Sequence, residues 1–135
     1  MLPNRLIENR NATIIGTFPK SVRLRKRADF VDLLNSQYKF VVKGFLVVWQ
    51  TNDLTNPRLG VTVSKKVGCS VVRNRIKRLI REVFRRHRLY IPAVDLNVIA
   101  RRDSVLMGFQ RVELELEKAF IQIGATTCSK QHPYL

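Results

Sequence analysis

The sequence predicts an α+β sandwich, with helices laid against a small mixed sheet, and three observations carry that prediction. Residues 64–88 have the two-sided periodicity of a helix that is apolar on one side and cationic on the other. Runs rich in Val and aromatic residues, within 40–50, 58–64 and 95–101, have the composition of strands. Two further stretches, near 28–36 and within 109–123, repeat apolar residues at helical spacing. The expected order is helix, strand, strand, helix, strand, helix. A chain of 135 residues, 45% hydrophobic, is long enough for one domain with a real core and too short for two.

In chain order, residues 1–19 show little periodicity and contain Pro3, Asn4, Asn9, Asn11 and Gly16, so they read as a poorly ordered arm. The domain is expected over 20–123. Its first helix places Phe30 and Leu34 four residues apart on one face. Residues 40–50 read as one strand whose parity separates Phe45, Val47 and Trp49 from Leu46, Val48 and Gln50. A turn over 53–57 leads to a second strand, antiparallel to the first, with Leu59, Val61 and Val63 inward. Gly60, Thr62 and Ser64 leave its other face small and polar, open to an extended ligand. Ser70 is the expected N-cap of the basic helix, which runs to about His87. His87 is expected to interact with the helix dipole, a structural and not a catalytic role. Pro92 ends that helix, and the strand at 95–101 should pair parallel to the preceding one, with the right-handed crossover that such units favour. The last helix buries Val112, Leu116, Phe120 and Ile123, and Gly124 should stop it, leaving 124–135 as a tail.

Function is legible first in the charge. Lys and Arg exceed Asp and Glu by 15, and such a surplus points to a polyanionic partner: RNA, DNA or an anionic membrane. Ten of the cations lie within 64–88, opposed only by Glu82. Laid out at 100° per residue, Val72, Ile76, Leu79, Ile80, Val83 and Phe84 fall within an arc of roughly 140°. Asn74, Arg78, Arg81 and Arg85 form a stripe on the far side. A solvated face normally mixes signs to gain i,i+4 pairs; this one offers rows of guanidinium forks, suited to phosphate. The apolar arc has the width of a core-packed helix, which argues against a membrane-surface role.

The two cysteines, Cys69 and Cys128, lack the companions a zinc site needs and read as reduced thiols of a cytoplasmic protein. No apolar run reaches membrane-span length, and the N-terminus has no signal-peptide core. The carboxylates are scattered, neither His87 nor His132 belongs to a catalytic grouping, and phosphate-binding loops are missing. A self-sufficient enzyme is therefore not expected. Guanidinium rows beside an open sheet face favour single-stranded or structured RNA.

The run GVTVSKKVGCSVVRNRIKRLIREVF, residues 60–84, resembles the protein subunit of bacterial ribonuclease P, centred on the Arg73-Asn74-Arg75 segment. The likeness extends through Arg23-Leu24, Phe30, residues 45–48 and 97–101, and the last helix. It implies a fold like domain 2 of ribosomal protein S5, with a left-handed β-α-β crossover against the general rule. It implies a ribonucleoprotein that removes 5′ leaders from precursor tRNA, its chemistry carried by a catalytic RNA and magnesium, with no cofactor on the protein. The partners it implies are ribonuclease P RNA, one protein per RNA, and precursor tRNA. Carried over by position, Lys65, Lys66, Arg73, Asn74, Arg75, Lys77, Arg78, Arg81 and Arg85 would face the catalytic RNA. Phe30, Leu34, Leu46, Val48, Thr62 and Lys66 would line or border a leader cleft. Leu34 and Val48 stand where the family often has aromatics, which implies a narrower apolar cleft here. A ribosomal or assembly protein using the same helix on rRNA is the alternative.

Overall fold

The computed structural model describes residues 22–24 and 26–131, with side chains through residue 127. The expected arm 1–19 lies outside the described residues, as do 132–135 of the expected tail. Helix α1 spans Arg27–Leu34, strands β1, β2 and β3 span Tyr38–Val42, Phe45–Thr51 and Arg58–Thr62, and helix α2 spans Ser70–His87. A 3-10 turn at Arg88–Tyr90 leads to β4, Val94–Ala100, and a second at Arg102–Leu106 leads to α3, Phe109–Gln131.

The α+β class stands, with four strands in place of three. The apolar run expected as a single strand folds on itself at Lys43-Gly44, where Gly44 adopts φ 85°, a conformation open to glycine at little cost. Tyr38 then pairs with Trp49 across the hairpin, their rings stacked at 5.9 Å. The sheet order is β1-β2-β4-β3. Strands β2 and β3 run in opposite directions, yet they are not neighbours: β4 lies between them, antiparallel to β2 and parallel to β3. Arg58 locks the parallel pair, donating from Nε and Nη2 to the two carboxylate oxygens of the buried Asp95 at 2.8 and 2.6 Å.

Strand parity makes two cores. Phe45, Val47 and Trp49 of β2 and Leu96 and Val98 of β4 pack with Ile76, Ile80, Val83 and Phe84 of α2. Val112, Leu116, Phe120 and Ile123 of α3 complete that layer, as their spacing predicts. Each such side chain removed from water contributes about 1.5–3 kcal/mol before entropy is counted. On the opposite face Leu24, Leu33 and Val48 form a smaller core under α1, flanked by Phe30, Leu46 and Ile99.

Two helix ends differ from expectation. Cys69, not Ser70, occupies the cap position of α2, and Ser70 is its first helical residue. Gly124 does not stop α3, which continues through Gln131. A glycine inside a helix costs about 1 kcal/mol, and the buried stripe carries on past it from Ile123 to Thr127.

Candidate nucleic-acid interface

The amphipathic pattern of α2 sets the site. Its apolar arc is sunk in the main core, with Ile76, Ile80, Val83 and Phe84 buried, so the opposite arc must face outward. Asn74, Arg78 and Arg81 are exposed there, and Arg85 is half-buried beside them. Together with Glu82 they line a shallow depression of about 410 Å³. Glu82 accepts hydrogen bonds from Arg85 and Arg86, and the Arg85 guanidinium is the main cause holding its carboxyl below the ordinary value. Arg86 also lies over the Phe109 ring, 4.7 Å from its centroid, so the outer arc keeps Arg78 and Arg81 as its cations without an acid partner among the described residues.

Arg75 is exposed and also has partners within the fold. Its fork turns to the side, donating from Nη2 to the Met107 carbonyl at 2.8 Å and from Nη1 to the Val105 carbonyl at 3.3 Å. It fastens α2 to the segment before α3. Arg73 reaches back from the first turn to the Gly68 carbonyl at 3.2 Å, and Lys77 is half-buried on the same flank. Lys65 and Lys66 project from the loop after β3 because Val63 and Val67 on either side are buried in the main core.

The second part of the site lies between α1 and the sheet. Leu24 donates its N–H to the Leu59 carbonyl at 2.9 Å, which lays the start of the chain's described part along β3. Phe30 then rests on Gly60, and the two share a cavity of about 250 Å³ with Arg23, Leu59, Val61 and Arg81. Past α1 the sheet face continues through Leu46, Ile99 and Thr62, where Thr62 Oγ1 donates to the buried Asn97 Oδ1 at 3.1 Å. Of the expected cleft residues, Phe30 and Leu46 are half-buried at this face and Thr62 and Lys66 are exposed. Leu34 is exposed at the end of α1, and its neighbour Leu33 is the one packed inside. Val48 is 1% exposed, so it supports the cleft from beneath and does not line it.

Arg23 and Ile99 join the cleft without having been singled out for it, Gly60 lies there on the small face expected of its strand, and Arg81 belongs to the cleft wall as well as to the outer stripe. The parity of Ile99 with Leu46 depends on β4 entering next to β2, which no local pattern announces. His87 holds a structural position, with Nε2 3.2 Å from Glu113 Oε2 and its ring 5.9 Å from Phe120. Among the described residues no three His, Cys, Asp or Glu side chains gather to hold a metal ion. No helix among them is long and apolar enough to cross a membrane.

Fold and site together define a class: a small α+β domain that presents a cationic helix and an adjoining cleft to a polyanion. The family model described as Ribonuclease P matches residues 18–124, and the chain belongs to that family. The ribonuclease P protein component of Geotalea uraniireducens is 38% identical over 99 residues, covering 73% of this chain and 88% of its own. That of Desulforapulum autotrophicum is 41% identical over 108 residues, covering 79% and 92%. Among solved structures, the Staphylococcus aureus RNase P protein superposes with a TM-score of 0.70 at 37% identity, covering 77% of this chain and 95% of that one. The Thermotoga maritima RNase P protein superposes with a TM-score of 0.70 at 32% identity, covering 75% and 96%.

Proposed function

We propose that this chain is the protein subunit of a ribonuclease P, binding a catalytic RNA through the outer face of α2 and the 5′ leader of precursor tRNA in the cleft beneath α1. The observation that carries the reading is the position of Arg81, which belongs at once to the guanidinium stripe and to the cavity holding Phe30 and Gly60. A surface with that junction joins two stretches of RNA. Lys65, Lys66, Arg73, Asn74, Lys77, Arg78, Arg81 and Arg85 supply phosphate contacts, while Arg75 fixes the helix in place. Phe30, Leu46, Ile99 and Thr62 offer the leader a narrow apolar and hydroxyl-bearing floor, with Lys66 and Leu34 at its borders. Unpaired RNA is held in such clefts by stacking and shape.

In this reading the protein supplies affinity and orientation, and the RNA supplies the magnesium ions and the cleavage. The arrangement has a direct test: reconstitution with the cognate RNA at low magnesium. Leader cleavage should be faster with the protein than without it. Equal rates would refute the reading, and capture of ribosomal RNA with no ribonuclease P RNA would favour the alternative.

A further inference from the structure

On the flank of α2 away from the leader cleft, a second cavity of about 430 Å³ is lined by Lys43, Asp103, Leu106, Met107, Gly108 and Arg111. None of these residues belongs to the stripe or the cleft. We propose that this cavity takes one unpaired nucleotide of the catalytic RNA, its phosphate on Lys43 and Arg111 and its base against Leu106 and Met107. The inference rests on the ribonuclease P reading and extends the surface of contact around the helix.

Three features carry it. The backbone of one cation and the guanidinium of the other meet a carboxylate withdrawn from solvent: Glu115, 3% exposed, accepts from the Lys43 backbone N–H at 3.2 Å through Oε1, while the Lys43 side chain is exposed. Glu115 Oε2 meets Arg111 Nε at 3.3 Å. The Nη edge of that half-exposed guanidinium carries no hydrogen bond to any described residue, which leaves it available to an anion. Leu106, at the rim, is 94% exposed, an apolar side chain with nothing packed on it. An extruded base covers such a side chain, since every base has an apolar face. Asp103 would repel a bare phosphate, but it follows the exposed Arg101 and Arg102 and can accept from a base amino group or a 2′-hydroxyl.

The catalytic RNA is the source favoured by position. Arg75 of the basic helix bonds the carbonyls of Val105 and Met107, the backbone on either side of Leu106, so the cavity wall and the helix move as one piece. The leader cleft opens on the opposite flank, where Arg81 lines it.

The test measures binding of the full chain to ribonuclease P RNA across a salt series, with four variants. The double variant K43A/R111A should bind at least tenfold more weakly and lower the slope of log affinity against log salt by roughly one to two units. L106A should weaken binding several-fold with the slope unchanged. K118A, which removes a cation from the same carboxylate outside the cavity, should change neither. Unchanged binding by K43A/R111A and by L106A, or an equal loss in K118A, overturns the proposal. R78A/R81A is the control for the function itself: if it too leaves binding intact, the ribonuclease P reading fails, and if it alone weakens binding, only the second cavity is discarded.

Discussion

The ring of Phe30 occupies the space that a side chain at Gly60 would fill: a Cβ built there would stand 2.5 Å from Phe30 Cε1 and 2.8 Å from Cζ. The glycine is needed for that close approach, and both residues line the cleft beneath α1. Gly60→Ala should displace the ring and cost about 1–3 kcal/mol of stability, the usual cost of overpacking. Urea melts give the stability, and binding of a leader-bearing precursor tRNA by the assembled enzyme should fall while affinity for the catalytic RNA stays.

Arg75 and Arg78 are three residues apart and should fail in different assays. Arg75→Ala removes two hydrogen bonds to carbonyls of the α3 approach and should lower stability by about 1–2 kcal/mol. Arg78→Ala should leave the melting temperature unchanged and weaken RNA binding by roughly 5- to 30-fold, with a shallower salt slope. Thermal melts beside a binding titration separate the two.

Ile80 is fully buried on the inner face of α2. Ile80→Ala should cost about 2–5 kcal/mol through the cavity it leaves. Loss of RNA affinity should track the fraction unfolded and vanish at temperatures where the variant is folded, as circular dichroism alongside binding would show.

Burial pushes the Glu115 carboxyl up, but the Lys43 N–H, Lys118 and Arg111 outweigh it and hold the group below its ordinary value of 4.5. A depressed carboxylate contributes stability that is present above the unfolded value and lost as pH falls through the folded one. Unfolding free energy should therefore decline below about pH 4.5, and Glu115→Gln should flatten that decline relative to the parent chain. Glu82, also depressed, acts with the same sign, so the comparison is cleanest in an E82Q background. Denaturant titrations between pH 6 and pH 3 check it.

Much of this was readable from residue order, because α2 and α3 declare themselves through side chains three and four apart, and the split of Phe45, Val47 and Trp49 from Leu46 and Val48 follows from alternation. What escaped was non-local or masked by composition. Lys43-Gly44 sits inside an otherwise apolar run, and the left-handed turn at Gly44 makes that run a hairpin. The entry of β4 between β2 and β3 is a pairing choice between segments tens of residues apart, and it places Ile99 on the cleft floor. Arg75 carries the same charge as Arg78, and its different task appears only once Val105 and Met107 are folded against it. Gly124 reads locally as a stop, yet the stripe it interrupts continues to Thr127.

The central claim is that the outer face of α2 lies on a ribozyme. A photoreactive group placed at position 78, crosslinked in cells and followed by sequencing of the attached RNA, tests it most directly. The account predicts ribonuclease P RNA as the main product, lost when Arg81 is also replaced; crosslinks to ribosomal RNA alone, or none at all, would contradict it.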